Sequence, residues 1–330
     1  MGPQPAEPRT GDLTWSERMM GRVLALFPPR FAVFWLRFTG VYVGRRMSMM
    51  AAVSAFWAIF AFPWIIIVFA FALSSISRFL GTDAIKAVEE TVIDALNHFL
   101  TPEAAQQFAI PILDTLIHDS ITGIGIIGTI VALWSGSKAA MSLMDAISFI
   151  EENAAPASYV VRRGLAFALL LGGIVAMAVV SPLVVVGPRQ LGEWLNLSSE
   201  LVWVIVVGLG LIICFLLLLV LYKTATIHFK HWNRYLPGAL LSTVLSAVGM
   251  IGLGIYIRRM FETNAVLGTL ITPIALMTTA YVLCLIVLAG AVFNYVKSVG
   301  PNVDSILTPA MKSAITQVNS FEKASIVDSD

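Results

Sequence analysis

Residues 47–77 read MSMMAAVSAFWAIFAFPWIIIVFAFALSSIS, 31 residues without a charge between Arg45-Arg46 and Arg78. A helix rises about 1.5 Å per residue and about 20 apolar residues cross a bilayer core, so this run spans a membrane with length left for tilt or a kink. Its first half carries Ala51, Ala55 and Ala58 at helical spacing, with Ser54 beside them. Small residues let helix backbones approach closely in lipid, where no hydrophobic force drives helices together. The second half is bulky, from Ile65 to Phe69, and Pro63 lies where the halves meet. A proline there kinks the helix and frees a carbonyl four residues back. The run reads as the central packing helix of a membrane bundle.

The rest of the chain agrees. Apolar residues make up 58% and charged residues 12%, and mean hydropathy is +0.85, outside the range of soluble domains. Charge-free runs of 18 or more residues occupy 47–77, 120–137, 164–188, 201–222, 235–257 and 263–296. The fold class expected is an all-α integral membrane protein: a six-helix transmembrane bundle over 47–298, amphipathic helices in a cytoplasmic or interfacial region 1–46, and a cytoplasmic tail at 299–330. The last run exceeds what a span needs, so it is expected to bend near Pro273 or to leave the core. The polar, Pro-rich start does not read as a signal peptide. Cys214 and Cys284 fall inside spanning runs and read as packing residues.

Lys and Arg set the orientation. With the N-terminus inside, cytoplasmic segments hold 16 of the 21, including Lys138, Arg162, Arg163, Lys223, Lys230 and Arg234. The other 5 are Arg78, Lys86, Arg189, Arg258 and Arg259. This bias places both termini in the cytoplasm.

Three polar regions stand out against the spans. Ahead of the first span, Thr14-Trp15-Ser16-Glu17 fits a capping box; after Pro28-Pro29, Phe31, Phe34, Trp35, Phe38 and Tyr42 form an aromatic stripe with Arg30 and Arg37 elsewhere. Such a helix suits the headgroup boundary or the cytoplasmic ends of the bundle. The outer segment 79–119 reads as an amphipathic helical cap, with Glu89, Glu90 and Asp94 off its apolar face and a helix start at Thr101-Pro102-Glu103. Past the second span, Lys138, Ser142 and Asp145 fall at i, i+4 and i+7 on one helix face. That strip either lines a vestibule or is a snorkelling lysine with a local ion pair.

The inner loop after Tyr222-Lys223 gathers His228, Lys230, His231, Trp232 and Arg234, a cationic aromatic cluster suited to anionic lipid headgroups. His228 and His231 have no third metal ligand nearby, so no metal is expected. In the fifth span Gly238, Ser242 and Ser246 recur every four residues, the most extensive small-residue face in the chain. The sixth carries Thr269, Thr272, Thr278, Thr279 and Tyr281, hydroxyls that either bond between helices or line a polar path.

These motifs resemble the YihY/BrkB family of bacterial inner-membrane proteins, once labelled ribonuclease BN. The first span matches in kind at Ala51, Ala52, Phe56, Trp57 and Pro63, and the second at Trp134, Ser135 and Ser137. Leu236-Pro237-Gly238-Ala239 resembles the motif that opens the family's fifth span, and Gly268, Leu270, Tyr281, Gly290, Ala291 and Asn294 match its end. The resemblance covers residues 40–298. Departures are Leu267 for a tyrosine, Thr279 for a tryptophan and Val292 for a glutamate, and the proline expected after Tyr222 is missing. The resemblance implies a cell inner-membrane protein of the bacterial envelope; any role of the missing glutamate does not carry over.

An enzyme is not expected. Phosphodiester cleavage needs clustered carboxylates or histidines holding metal, whereas His98 and His118 lie in the outer segment and His228 and His231 in the inner one. No catalytic residue, cofactor or nucleic-acid partner is expected. Two functions remain. In one, the bundle transports or exposes a lipid-like, amphiphilic anion, with Lys138, Ser142, Asp145, Lys230 and Arg234 meeting a headgroup. In the other, a structural protein's small-residue faces pack helices or a second copy, and its acidic cap docks another envelope protein; the positions the resemblance marks for packing are Ala51, Phe56, Pro63, Trp134, Pro237, Gly238, Gly268, Gly290 and Asn294.

Overall fold

The structure is a computed structural model that describes residues 29–61, 122–151, 158–176, 198–226, 231–263, 268–300, 311–312 and 315–316. Among these every regular element is helical. In chain order they are α1 (Pro29–Gly44), α2 (Met47–Ala61) and α4 (Tyr159–Ala176), α3 (Thr122–Ile150) and α5 (Ser199–Ala225). A 3-10 turn, Trp232–Arg234, precedes α6 (Leu236–Thr263) and α7 (Gly268–Val299). Helices α3 to α7 are long and apolar enough to cross a membrane. The described part of the first run ends at Ala61, so Pro63 lies outside the described residues. So do the cap 79–119, the capping box at Thr14–Glu17, His228 and Lys230.

The chain divides into two compact units, Met1–Arg46 with Val292–Asp330, and Met47–Ala291. In the first, α1 buries Ala32, Val33, Leu36 and Val41. Its aromatic stripe is a run of stacked rings, Phe31 on Trp35 at 6.4 Å, Trp35 on Phe38 at 5.4 Å and Phe38 on Tyr42 at 6.2 Å between centroids. The i, i+3 and i+4 spacing that makes the stripe brings these rings into register. Phe34 leaves it to meet Phe293 edge-on at 5.2 Å. Arg45 reaches Tyr295, with Nη2 donating to the phenol oxygen at 3.4 Å. Asn294 is buried in the same unit, 1% exposed. Arg46 ends the segment at φ 51°, a left-handed conformation that costs a side-chain-bearing residue about 1 kcal/mol.

The second unit holds α2 to α6 and α7 as far as Ala291. Ser142 of α3 donates to Ser54 of α2 at 2.8 Å, and buried Ala51 and Ala55 line the same helix. Gly136 admits α4: a Cβ there would sit 2.9 Å from Leu170 Cδ1. Helix α5 packs on α3 and α6, with Gly172 of α4 facing Leu217. On α6 the small residues Gly238, Ala239, Ser242 and Thr243 are buried, while Leu240, Val244, Val248, Ile251 and Ile255 point outward. That division suits a helix with one face on protein and one on lipid. Helix α7 continues through Pro273, its sixth residue, so the proline does not end it.

Candidate functional site

Two polar arrangements occupy the second unit. The first joins three helices through a buried tyrosine. Tyr222 Oη donates to Val287 O of α7 at 2.7 Å and shares a bond of 2.8 Å with Ser242 Oγ of α6. Ser242 Oγ in turn lies 3.0 Å from Ile286 O. Two hydroxyl protons thus serve three contacts, and Gly290 is what makes room for them. A Cβ on Gly290 would collide with Ser242 Oγ and come to 2.5 Å from Tyr222 Oη and 2.7 Å from Gly238 O. Tyr222, Gly238 and Gly290 therefore meet at one point, though they are spread over three helices. Bonds of this kind hold helices together where an unpaired hydroxyl would face hydrocarbon.

The second arrangement lies where the α3–α4 and α5–α6 connections come together. Ser148 Oγ donates to Ala225 O at 2.6 Å, and Thr226 shares a bond of 2.5 Å with Tyr235 Oη. Among the described residues, the helix ends joined here carry four cations, Arg162, Arg163, Lys223 and Arg234, and two carboxylates, Asp145 and Glu151. Arg162 forms an ion pair with Asp145 and donates to Ser148 at 3.3 Å. Arg234 donates to Glu151 Oε2 at 3.1 Å, and the Glu151 side chain is only 2% exposed. Arg163 and Lys223 lie on aromatic rings instead. The Arg163 guanidinium is 4.2 Å from the Trp134 ring centre and 5.2 Å from Phe167. Lys223 Nζ is 3.4 Å from that of Trp232. A ring attracts a cation without cancelling its charge, so among the described residues this end carries an excess of positive charge.

Arg162 and Arg163 diverge because consecutive helical side chains point about 100° apart at 3.6 residues per turn. One reaches the Asp145 face of α3. The other turns inward, where Arg163 Nη2 donates to Trp134 O at 3.2 Å. Arg163 is 8% exposed, and its Nε and Nη1 are buried without a hydrogen-bond partner.

The residues singled out from the sequence are placed as follows. Asp145 pairs with Arg162 rather than with Lys138, which acts on it only through space. Ser142 is taken up by Ser54. The i, i+4, i+7 strip exists as a helix face, but its members answer to different neighbours. Arg234 is part of the cationic end, and Lys230 lies outside the described residues. Ala51, Gly238 and Gly290 are buried. Phe56 is exposed, and Trp134, also exposed, serves as the bed of Arg163. Pro237 is half-buried in the first turn of α6, and Gly268 opens α7. On α7, Thr278 donates to Ile274 O and Thr279 to Ala275 O, both at 2.8 Å. Both hydroxyls are thus turned back on their own helix, away from any polar path. Cys284 is buried and Cys214 half-buried, both as free thiols.

Sequence reasoning missed Arg163, which it counted only as one of the charges that orient the chain. The signal was the pair Arg162-Arg163 ahead of an apolar run, since consecutive helical side chains point about 100° apart.

No curated protein and no solved structure matches the chain significantly. A family model described as Virulence factor BrkB matches residues 38–305. That range holds the helices of the second unit and the motifs at Trp134, Pro237-Gly238 and Gly290, so the chain belongs to the BrkB (YihY) family.

Proposed function

We propose that this is a non-catalytic, six-span protein of the bacterial inner membrane. In this reading both termini are cytoplasmic, and the protein holds an anionic amphiphile by its headgroup and exposes it or moves it across the bilayer. The observation that supports it is the pair of cations seated on rings, Arg163 on Trp134 and Phe167 and Lys223 on Trp232. Cations left unneutralised at a cytoplasmic membrane surface attract anionic headgroups. The Lys and Arg distribution puts this end in the cytoplasm, and the uncharged run 47–77 makes the sixth span.

A scaffold, binding a second copy or another envelope protein, is the second reading. It is favoured by the use of Ser142 on Ser54 and of Asp145 on Arg162, and by the hydroxyls of Thr278 and Thr279 that serve their own helix.

Reconstitution separates the two. In liposomes, wild-type protein is expected to speed the appearance of a fluorescent phosphatidylglycerol in the opposite leaflet, and to leave a phosphatidylcholine probe unaffected. Lys223→Ala is expected to slow that movement several-fold, since each surface cation contributes about 1 kcal/mol to holding anionic lipid. No movement of either probe overturns the transport reading and leaves the scaffold.

The topology has its own check. With Cys214 and Cys284 replaced by serine, single cysteines at Ser198 and Ser320 are expected to react with an impermeant thiol reagent from opposite sides. Labelling of both from one side overturns the six-span arrangement.

A further inference from the structure

We infer that Arg163 is the seat of the phosphate group of an anionic lipid, held by the guanidinium donors Nε and Nη1. This deepens the headgroup reading and rests on it. The residue is more than nine-tenths buried, and neither Nε nor Nη1 has a hydrogen-bond partner. The guanidinium is a cation that offers five donors and no acceptor. Burying a charge without a counter-ion is costly, and buried charges are normally paired.

The chain has carboxylates at this end and directs them elsewhere: Asp145 to Arg162 and Glu151 to Arg234. What holds Arg163 is a carbonyl, Trp134 O, and the two ring faces. These contacts fix the plane of the guanidinium and leave Nε and Nη1 unused. A planar fork matches two oxygens of a phosphate better than any other common anion except a carboxylate. Trp134, half-exposed, forms the wall of the site that borders lipid.

Depth selects the source of the phosphate. Trp134 belongs to the charge-free run 120–137, one turn further into the apolar segment than Lys138. Free phosphate would have to shed its hydration to reach that level. A phospholipid already carries its phosphate at the edge of the hydrocarbon, with acyl chains to lie along the exposed apolar faces of Val160 and Ile130.

The test uses the full chain, delipidated in detergent and titrated with phosphatidylglycerol, with phosphatidylcholine or with inorganic phosphate, bound molecules being counted by native mass spectrometry. Wild type is expected to prefer phosphatidylglycerol. Arg163→Gln is expected to weaken that lipid by about ten-fold or more, the worth of a charge-assisted hydrogen bond, with phosphatidylcholine unchanged. Arg163→Lys keeps the charge but loses the fork, and is expected to weaken binding several-fold. It decides the matter if the glutamine variant does not fold. Wild-type affinity in the folded variants overturns the site while the headgroup reading stands. Absence of any anionic preference in wild type overturns both. Inorganic phosphate binding as tightly as the lipid, and lost with Arg163, overturns the lipid as the source.

Discussion

Gly290→Ala is expected to lower the stability of the purified protein by about 3 kcal/mol, the sum of overpacking and strained buried hydrogen bonds. The added Cβ meets Ser242 Oγ, Tyr222 Oη at 2.5 Å and Gly238 O at 2.7 Å. Two of these are hydroxyls already engaged with Val287 O and Ile286 O, and the third is backbone, which yields least. Helices α6 and α7 must therefore separate, or the tyrosine must leave its acceptor. Ser242→Ala removes the nearest of the three obstacles. The double variant Ser242→Ala/Gly290→Ala is expected to be more stable than the two single losses added together, because contacting residues are not independent. Thermal unfolding of the four proteins in one detergent reads this directly. Additive losses, or a neutral Gly290→Ala, would show that the helices do not meet as closely as described.

The other large effect is expected at Glu151. Its side chain is 2% exposed and accepts from Arg234 Nη2, while the Nε of Arg234 is already without a partner. Removing one member of a buried ion pair strands the other, at a cost of about 3–5 kcal/mol. Glu151→Ala is therefore expected to lose about that much and to loosen the connection between α5 and α6. Replacing both members, Glu151→Leu with Arg234→Met, is expected to cost far less, since a well-packed apolar pair matches or exceeds a buried ion pair. The discriminating measurement is the difference between the single and double variants in unfolding by denaturant. A double variant no better than Glu151→Ala would mean that the carboxylate's other contacts, not the pair, hold this end together.

Both effects lie in contacts between helices far apart in sequence, and that marks what could be read from residues alone. The spans were legible because a charge is expensive in hydrocarbon, so an uncharged run of sufficient length has few alternatives. Runs 201–222, 235–257 and 263–296 correspond to Ser199–Ala225, Leu236–Thr263 and Gly268–Val299. The helix through the second span runs on to Ile150 and carries Lys138, Ser142 and Asp145, as their spacing implies. The small-residue face of the fifth span was legible too, since Gly238, Ala239 and Ser242 have no other use on one side of a membrane helix. Family membership followed from combinations of such positions.

Which polar group meets which was not legible. A hydroxyl on a membrane helix has two outlets, its own carbonyl three or four residues back and a neighbour's. Thr278 and Thr279 take the first, Ser242 and Tyr222 the second, with nothing in their local sequence to separate them. The same holds for charges: Asp145 lies seven residues from Lys138 on one helix, yet Arg162 of the next helix claims it. By itself, then, the sequence determined the helical, membrane-spanning character of this protein, its runs and its family, because these depend on the local exclusion of charge and on periodicity. Only the tertiary structure decided that Gly290 sits beneath a tyrosine of another helix and that Arg163 is buried on Trp134 without a carboxylate. Those outcomes depend on how far each helix is turned and slid against its neighbours, and a few ångströms of reach select one partner over another.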